Sequence, residues 1–501
     1  MGTFYVENFG CRATQADGAA IDRQLRDGGL ARVGSPKDAK LVVLNTCTVT
    51  AAADHDARAA IRRLQRENPG CKIVVTGCYA QRAPEEVAAL PGVDWVIGNS
   101  HKGQLAEIIA AAGVSTQIAD DECDAHGQPS SPGFVRLASL MNGGPGQPSR
   151  ANEQPLIFVS DIFAHTELLA APVFDGSNER TRPNLKVQDG CDNRCSFCVI
   201  PYVRGQSRSL KLDRVIAEVD QLVGAGYREV VISGINLGRW GRDLEGGLTF
   251  ENLVRAILDR TAVEKLRISS VEPMDWSDEL IDLVAHSPRI AKNAHVPMQS
   301  GSDSVLRRMH RKYRPWHYRD KIENIHRVMP NAAIGADVMV GFPVETDAEF
   351  EETRRMIAEL PFTYLHVFTY SARPGTPAAE IRTQVPVTIA RDRNRILRDL
   401  IASKKLAFMR SFVGKTVEAI TLSTGGRSRE VGDATENRYS DALTDNYLKL
   451  RLQGSLEANR WVEAEVEAVV DGELVGRLFN SRSQPAQPLS PDGEVVCFAN
   501  S

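Results

Sequence analysis

Three cysteines stand close together in Leu185–Arg208, which reads LKVQDGCDNRCSFCVIPYVRGQSR. Cys191, Cys195 and Cys198 form a C-x3-C-x2-C array. Thiolates packed this tightly suit an iron–sulfur cluster, and three ligands on a [4Fe–4S] cube leave one iron open to something else. Phe197, between the last two cysteines, is placed to cover a cluster face. The alternatives are a zinc site or buried free thiols. Zinc takes a second ligand pair at a workable spacing, and none lies within about the next hundred residues.

A second set is dispersed. Cys11, Cys47 and Cys78 each fall just past the carboxyl end of a predicted strand: Thr3–Phe9, Leu41–Leu44 and Lys72–Thr76. In an open parallel sheet the carboxyl ends share one edge, where ligands bind. Topology therefore brings three distant cysteines together and predicts a second three-cysteine cluster. The alternative is three small buried residues, a common fate of free cysteine. Cys71 precedes its strand, Cys123 lies in a linker and Cys497 in the tail, so all three are excluded.

These motifs resemble a known family. The C-x3-C-x2-C array with Phe197 before its last cysteine is the signature of radical S-adenosylmethionine (SAM) enzymes. Lys186-Val187-Gln188-Asp189-Gly190-Cys191 and Ile200-Pro201-Tyr202-Val203-Arg204-Gly205 are similar to the methylthiotransferase branch. Gly10-Cys11, Asn45-Thr46-Cys47-Thr48-Val49-Thr50 and Thr76-Gly77-Cys78 resemble that branch's N-terminal domain, whose cysteines hold an auxiliary [4Fe–4S] cluster. Arg12-Ala13-Thr14-Gln15 departs from the Lys-Val-Asn-Gln usual there, without touching the ligands. The resemblance implies two [4Fe–4S] clusters and two SAM molecules. One SAM is chelated at the open iron and cleaved to a 5′-deoxyadenosyl radical. The other methylates sulfur carried by the auxiliary cluster. The Thr-Cys-Thr-Val-Thr segment is most similar to the MtaB-like tRNA enzymes, which act on C2 of N6-threonylcarbamoyladenosine beside the anticodon. Methylthiolation of isopentenylated adenosine in tRNA, or of an aspartate in a ribosomal protein, is the same-class alternative. A non-catalytic iron–sulfur protein that binds RNA or carries electrons is the different-class one. The implied partners are the tRNA anticodon loop, SAM and an electron donor such as a flavodoxin or ferredoxin, with the chain a monomer.

The elements that position these residues follow from periodicity. Residues 1–114 alternate strand and helix, which predicts an open parallel sheet with helices on its faces. Residues 115–180 read as a linker enlarged by a Gly/Pro/Ser-rich insertion too poor in apolar groups to order itself. Across residues 181–410 six strands alternate with helices: Leu185–Gln188, Glu229–Ser233, Leu266–Ser270, Ala294–Met298, Ile334–Val340 and Tyr364–Tyr370. Six units are too few for a closed eight-stranded barrel, so a partial (β/α)6 barrel is expected, with its active site at the strand carboxyl ends. Ser233, Gly234 and Asn236 end the second strand, Ser269 the third and Gln299 the fourth. They are the candidates for SAM contacts, although polar residues at strand ends are also ordinary turn formers. His295 and His366 lie inside strands and receive no role.

Residues 411–480 alternate as in a small β-barrel, with strands at Val417–Leu422, Tyr447–Leu452, Trp461–Val469 and Leu474–Leu478. This part resembles the TRAM domain, an OB-like RNA-binding module. Residues 481–501 are rich in Ser, Pro and Gln and are expected to be disordered. The net charge of -4 makes any nucleic-acid contact a matter of local patches. Such runs are Arg307–Arg314, the cations Arg391, Arg393, Arg395, Arg398, Lys404, Lys405 and Arg410, and Arg58, Arg62, Arg63 and Arg66. Each run alone is more ordinarily a solvated helix face. No long apolar run marks a membrane span, and nine cysteines, six of them in ligand-like motifs, point to a reducing cytoplasm rather than a disulfide framework.

Overall fold

The computed structural model describes residues 2–111, 155–165, 168, 181–423 and 439–481. Cys123, Cys497, most of the linker and nearly all of the tail lie outside the described residues. By packing, the chain divides into two units. The first is Met1–Ala171 with Gly190–Asp192 and Cys198–Gln206; the second is Pro172–Asp189, Asn193–Phe197 and Ser207–Ser501.

In the first unit the chain runs β1 (Thr3–Asn8), α1 (Arg12–Asp27), β2 (Ala31–Arg32), β3 (Leu41–Thr46), α2 (Ala51–Glu67), β4 (Lys72–Gly77), α3 (Cys78–Arg82), α4 (Pro84–Ala88), β5 (Trp95–Gly98), α5 (Leu105–Ala111) and β6 (Leu156–Phe158). Helix α6 (Ile200–Arg204) packs here as well. The strands form one sheet in the order β2-β1-β3-β4-β5-β6, parallel throughout. Every residue of β3, Leu-Val-Val-Leu-Asn-Thr, is buried, as a central strand covered on both faces requires. Val42 and Leu44 meet Ile61, Leu64 and Tyr79 on one face. Leu41 and Val43 meet Ile21, Leu25 and Leu105 on the other. The sheet extends past residue 114: the apolar triplet Leu156-Ile157-Phe158, inside the stretch read as linker, adds its edge strand β6.

The second unit holds β7 (Asn184–Lys186), β8 (Gln188–Asp189), β9 (Arg208–Ser209), α7 (Leu212–Gly224), β10 (Glu229–Ser233), α8 (Phe250–Arg260), β11 (Lys265–Ile268), α9 (Asp278–His286), β12 (Asn293–His295), α10 (Asp303–Arg308), α11 (Pro315–Val328), β13 (Ala333–Val340), α12 (Asp347–Glu359), β14 (Tyr364–Thr369) and α13 (Val387–Arg410). The six long-range strands form two parallel trios, β7-β10-β11 and β12-β13-β14. A bridge between Ser270 and His295 joins them, giving the expected open partial barrel. Thr249 and Thr346 start α8 and α12 with reciprocal capping boxes, which satisfy otherwise orphaned N–H groups. On one side of each strand Ile232, Leu266, Ile334, Val338 and Val340 pack against the helices in a single core.

The same unit ends in a closed five-stranded barrel of β15 (Thr416–Thr421), β16 (Tyr439–Thr444), β17 (Lys449–Gln453), β18 (Trp461–Val470) and β19 (Glu473–Ser481), ordered β15-β16-β17-β19-β18. Strand β16 is one more than the alternation predicts. Its sequence Tyr-Ser-Asp-Ala-Leu-Thr is too polar to read as a strand, and pairing on both sides makes it one. Among the described residues no helix is long and apolar enough to cross a membrane.

Candidate active site

The three dispersed cysteines follow three neighbouring strands of the first unit. Cys11 caps α1 after β1, Cys47 follows β3 directly, and Cys78 opens α3 after β4. These strands are adjacent and parallel, so neighbouring cysteine loops leave the sheet ~4.8 Å apart. Two glycines let the loops close. Gly10 has a φ of 102°, and a Cβ on it would lie 2.5 Å from Cys47 Cβ and 2.9 Å from Cys47 Sγ. Gly77 has a φ of 99°, and a Cβ there would lie 2.3 Å from the Thr46 carbonyl oxygen. Both positions favour glycine for conformation and for space. Cys11 is exposed, while Cys47 and Cys78 are buried. Cys71 is buried at the opposite end of β4, among Ile73, Leu64 and Val93.

The Cys47 thiol is pushed up to about 12, by burial first and then by the neighbouring Cys78 and Cys11, with the Val49 backbone and Arg204 opposing. A buried thiol facing two others ionises only when a cation compensates it, and a polynuclear iron centre is such a cation. Asn99 donates from Nδ2 to Cys78 Sγ at 3.5 Å and to the Val203 carbonyl at 2.7 Å, tying Cys78 to α6. Arg204 of α6 donates to Asp17 at 2.9 Å, and so does Lys102. All three of these charged side chains are buried. Neither Asn99 nor Arg204 stands out in the sequence as a site residue; Arg204 is conspicuous only as part of the Ile-Pro-Tyr-Val-Arg-Gly segment.

The clustered array follows β8. Gly190 (φ of 73°) turns the chain where a Cβ would fall 1.8 Å from the Gln206 carbonyl oxygen. Cys191 N–H donates to the Gly205 carbonyl at 3.0 Å. Within the second unit, Ser196 N–H donates to Met309 O at 3.1 Å, Ser196 Oγ to Arg308 O at 2.7 Å, and Ala378 N–H to Ser196 O at 2.8 Å. The loop at Cys195 is therefore held from both neighbouring segments. Phe197 sits edge-on to Phe342, with ring centroids 6.5 Å apart. Among the described residues no three His, Cys, Asp or Glu side chains are gathered as around a single metal ion. A [4Fe–4S] cube instead takes each thiolate on its own iron.

Arg311 is the residue that sequence reasoning misplaced. It belongs to the Arg307–Arg314 run, read as a basic patch. Its side chain is buried, donates from Nη1 to Cys195 Sγ at 3.3 Å, and pairs with Glu272. Burial alone would lower its pKa. Tyr313, Glu272 and Cys195 outweigh that and hold it well above the ordinary arginine value. Most of the run is similarly engaged: Arg307 and Arg314 pair with Asp303, and Arg308 with Glu349. Arg393 is also no surface cation, being buried against Glu345 and Asp347. No spacing rule would have found Arg311, because its burial follows from the packing of Tyr313, whose hydroxyl reaches the Pro297 and Met298 carbonyls.

The five candidate SAM residues divide between the two sheet halves. Ser233 and Ser269 end neighbouring strands, with Ser269 N–H donating to Ile232 O at 3.1 Å. Gly234 and Asn236 follow Ser233 directly; a Cβ at Gly234 would meet Gln188 Oε1 at 2.8 Å, and Asn236 N–H donates to that oxygen at 2.7 Å. Gln299, in the left-handed region at a φ of 63°, bridges to β13 instead. Ser233 Oγ is buried with no hydrogen-bond partner among the described residues. Such a group costs free energy until something polar meets it, which suits a polar cofactor at the strand ends.

Comparison with known proteins gives the family. Residues 3–98 match "Uncharacterized protein family UPF0004" and residues 185–357 match "Radical SAM superfamily". A "Threonylcarbamoyladenosine tRNA methylthiotransferase MtaB" of Bacillus subtilis is 35% identical over 91% of this chain and 91% of that protein. Its namesake in Rickettsia prowazekii is 33% identical over 93% and 95%. A "tRNA-2-methylthio-N(6)-dimethylallyladenosine synthase" of Streptomyces avermitilis is 31% identical over 89% and 80%. Among solved structures, the radical SAM methyltransferase TsrM of Kitasatospora setae superposes with a TM-score of 0.50 at 15% identity, over 75% of this chain and 74% of that one. That likeness concerns the fold alone. SAM and a [4Fe–4S] cluster come with the radical SAM superfamily. Two matched regions in the expected order, with full-length relatives above the level at which families are recognisable, make this chain a member of the radical SAM tRNA methylthiotransferases.

Proposed function

We propose that this chain methylthiolates C2 of N6-threonylcarbamoyladenosine beside the anticodon of tRNA. The observation that carries the reading is the 35% identity to an enzyme named for that nucleoside, spread over 91% of both chains. In this reading Cys191, Cys195 and Cys198 hold the cluster that serves SAM, and Cys11, Cys47 and Cys78 hold a second, auxiliary [4Fe–4S] cluster. When bound, the first cluster supplies the electron that cleaves SAM, and the second supplies the site at which sulfur is methylated. The chain's own residues do the rest. Ser233, Gly234 and Asn236 line the strand ends on one side of the barrel, where Ser233 Oγ offers a hydrogen bond to the SAM methionyl group. Ser269 and Gln299 complete that edge. Arg311 fixes the orientation of Cys195, and Asn99 that of Cys78. The C-terminal barrel acts as the RNA-binding TRAM module, an electron donor such as flavodoxin or ferredoxin reduces the clusters, and the chain works as a cytoplasmic monomer.

The Streptomyces avermitilis relative supports a second reading, in which the nucleoside is an isopentenylated adenosine. Mass spectrometry of tRNA nucleosides from a deletion strain separates the two. The expected result is loss of the 2-methylthio form of threonylcarbamoyladenosine, accumulation of its parent, and restoration by the intact gene but not by Cys195→Ala. Loss of a methylthiolated isopentenyl nucleoside instead would overturn the first reading.

A further inference from the structure

Strands β12, β13 and β14 carry two different faces. Ile334, Ala336, Val338 and Val340 on β13, with Leu365 and Val367 on β14, join the core beneath the helices. The opposite face of β14 presents Tyr364, His366 and Phe368, since alternate residues share a face. Tyr364 is half-buried, whereas His366 and Phe368 are exposed, Phe368 by 48%. Across the sheet Tyr364 registers with Gly335 and His366 with Asp337. His295 on β12 registers with Gly335 on its other side.

These rings form a continuous row. His295 lies 5.7 Å from Tyr364 and 5.5 Å from His366, and His366 lies 6.5 Å from Phe368. At its lower end Tyr364 meets Tyr447 of the C-terminal barrel, 6.0 Å away. Two backbone features are shaped around the row. A Cβ on Gly335 would fall 2.0 Å from the Tyr364 ring, so only glycine lets that ring lie across the sheet. Tyr447 occupies the left-handed region with a φ of 69°, a conformation a bulky residue rarely adopts. Asn446 ties its turn to the Asn331 carbonyl at 2.9 Å. At the upper end, the β13 partner of Phe368 is Met339, which packs with Phe342 in the cluster that also takes Phe197 from between the cysteines.

We propose that the row Tyr447, Tyr364, His295, His366 and Phe368 is a stacking track for unpaired RNA bases, leading from the C-terminal barrel to the carboxyl edge of the sheet. This inference rests on the reading that RNA is the substrate. A base must leave its stack before an enzyme reaches its ring atoms, and exposed aromatic and histidine rings are what receive it. Rings that served only the core would be covered, and the two nearest the catalytic edge are the exposed ones. Asp337, which pairs with His295 Nε2 at 3.2 Å, offers a carboxylate beside the track to an exocyclic amine.

The test uses the reconstituted full chain with an anticodon stem-loop carrying 2-aminopurine in its loop, and a fully paired duplex of equal length as control. His366→Ala and Phe368→Ala are expected to weaken stem-loop binding roughly ten-fold each, the loss of one stacked base, and to relieve 2-aminopurine quenching. Duplex binding, iron content and SAM cleavage without RNA should not change. His366→Phe and Phe368→Trp should restore stem-loop binding. Equal losses on stem-loop and duplex, or no loss on either, would overturn the track while leaving the RNA reading intact. A native chain that bound neither the stem-loop nor the duplex would remove both.

Discussion

The Arg311 guanidinium donates to Cys195 Sγ at 3.3 Å while also pairing with the Glu272 carboxylate. A charged donor on a cluster sulfur favours the more reduced, more negative state and so raises the reduction potential. Arg311→Lys is expected to keep a positive charge but lose the fixed fork, lowering both the potential of that cluster and the rate of SAM cleavage. Arg311→Leu should also cost stability, about 3–5 kcal/mol, as for other buried pairs broken on one side. A redox titration followed by electron paramagnetic resonance checks this. An unchanged potential in Arg311→Lys would show that the guanidinium does not act on the cluster.

The glycines at the other cysteine set give a geometric prediction. Alanine at Gly77 meets the Thr46 backbone at 2.3 Å, and alanine at Gly10 meets Cys47. Each is also forced to a positive φ, with strain of order 1–3 kcal/mol. The cysteine loops should move apart and the auxiliary cluster be lost, with iron falling from about eight to about four per chain if both clusters are [4Fe–4S]. Gly34→Ala and Gly103→Ala, which meet nothing within 4 Å, are the controls and should keep full iron. Retention of all the iron by Gly77→Ala would contradict the convergence of the three loops.

Replacing the cysteines themselves separates the sets. Changing Cys191, Cys195 and Cys198 to Ala should halve the iron and abolish SAM cleavage. Changing Cys11, Cys47 and Cys78 should halve the iron and spare cleavage uncoupled from RNA. Cys71→Ser should alter neither, because Cys71 sits at the far end of β4. Iron analysis beside a 5′-deoxyadenosine assay distinguishes the outcomes.

What was legible in the sequence was whatever a period or a topology rule controls. The β-α alternation of the first unit put Cys11, Cys47 and Cys78 at strand ends, because parallel strands leave every carboxyl end on one edge. The six barrel strands were legible for the same reason, each being an apolar run bounded by turn residues. Side-chain pairings distant in sequence were not. Arg311 and Arg393 look like surface cations until Cys195, Glu272, Glu345 and Asp347 are brought to them by the fold. Strand β16, polar in sequence, depends on its two neighbours. Histidines 295 and 366 meet only through strand register.

Acid should act at the start of α12. Burial alone would raise the Glu349 pKa, but hydrogen bonds from Arg308, Ser304 and the Thr346 N–H hold it at about 2, against an ordinary 4.5. A depressed folded value means the carboxylate stabilises the native state fully above the unfolded pKa. That contribution fades as pH falls from about 4.5 towards 2. Glu349→Gln is therefore expected to be less stable at pH 7, with the gap narrowing below about pH 4.5 and closing only as pH reaches about 2. Urea unfolding midpoints at several pH values check this, and a constant gap between the two proteins would refute it.

Charge on α13 bears on the RNA. Arg391 and Arg398 are exposed on this helix, whereas Arg393 is buried against Glu345. Arg395 is exposed but shared with Asp392 and Asp399 at 3.6 and 3.9 Å. Arg391 and Arg398 are therefore, with the exposed Lys405 and Arg410, the cations of this helix at which a phosphate contact is tested first. Reversing both to Glu is expected to weaken tRNA binding at low salt. The slope of log affinity against log salt should become shallower by about two, roughly one for each phosphate no longer neutralised. Because the attraction is electrostatic and sequence-independent, the weakening should be equal for stem-loop and duplex, unlike the selective effect at His366 and Phe368. Reversal at Arg393 is no test of binding, since it breaks the pair with Glu345 and the fold with it. Fluorescence anisotropy across a salt series, with iron content and uncoupled SAM cleavage as folding controls, reads the result. A salt slope unchanged in the Arg391→Glu, Arg398→Glu chain would place the phosphates on another face.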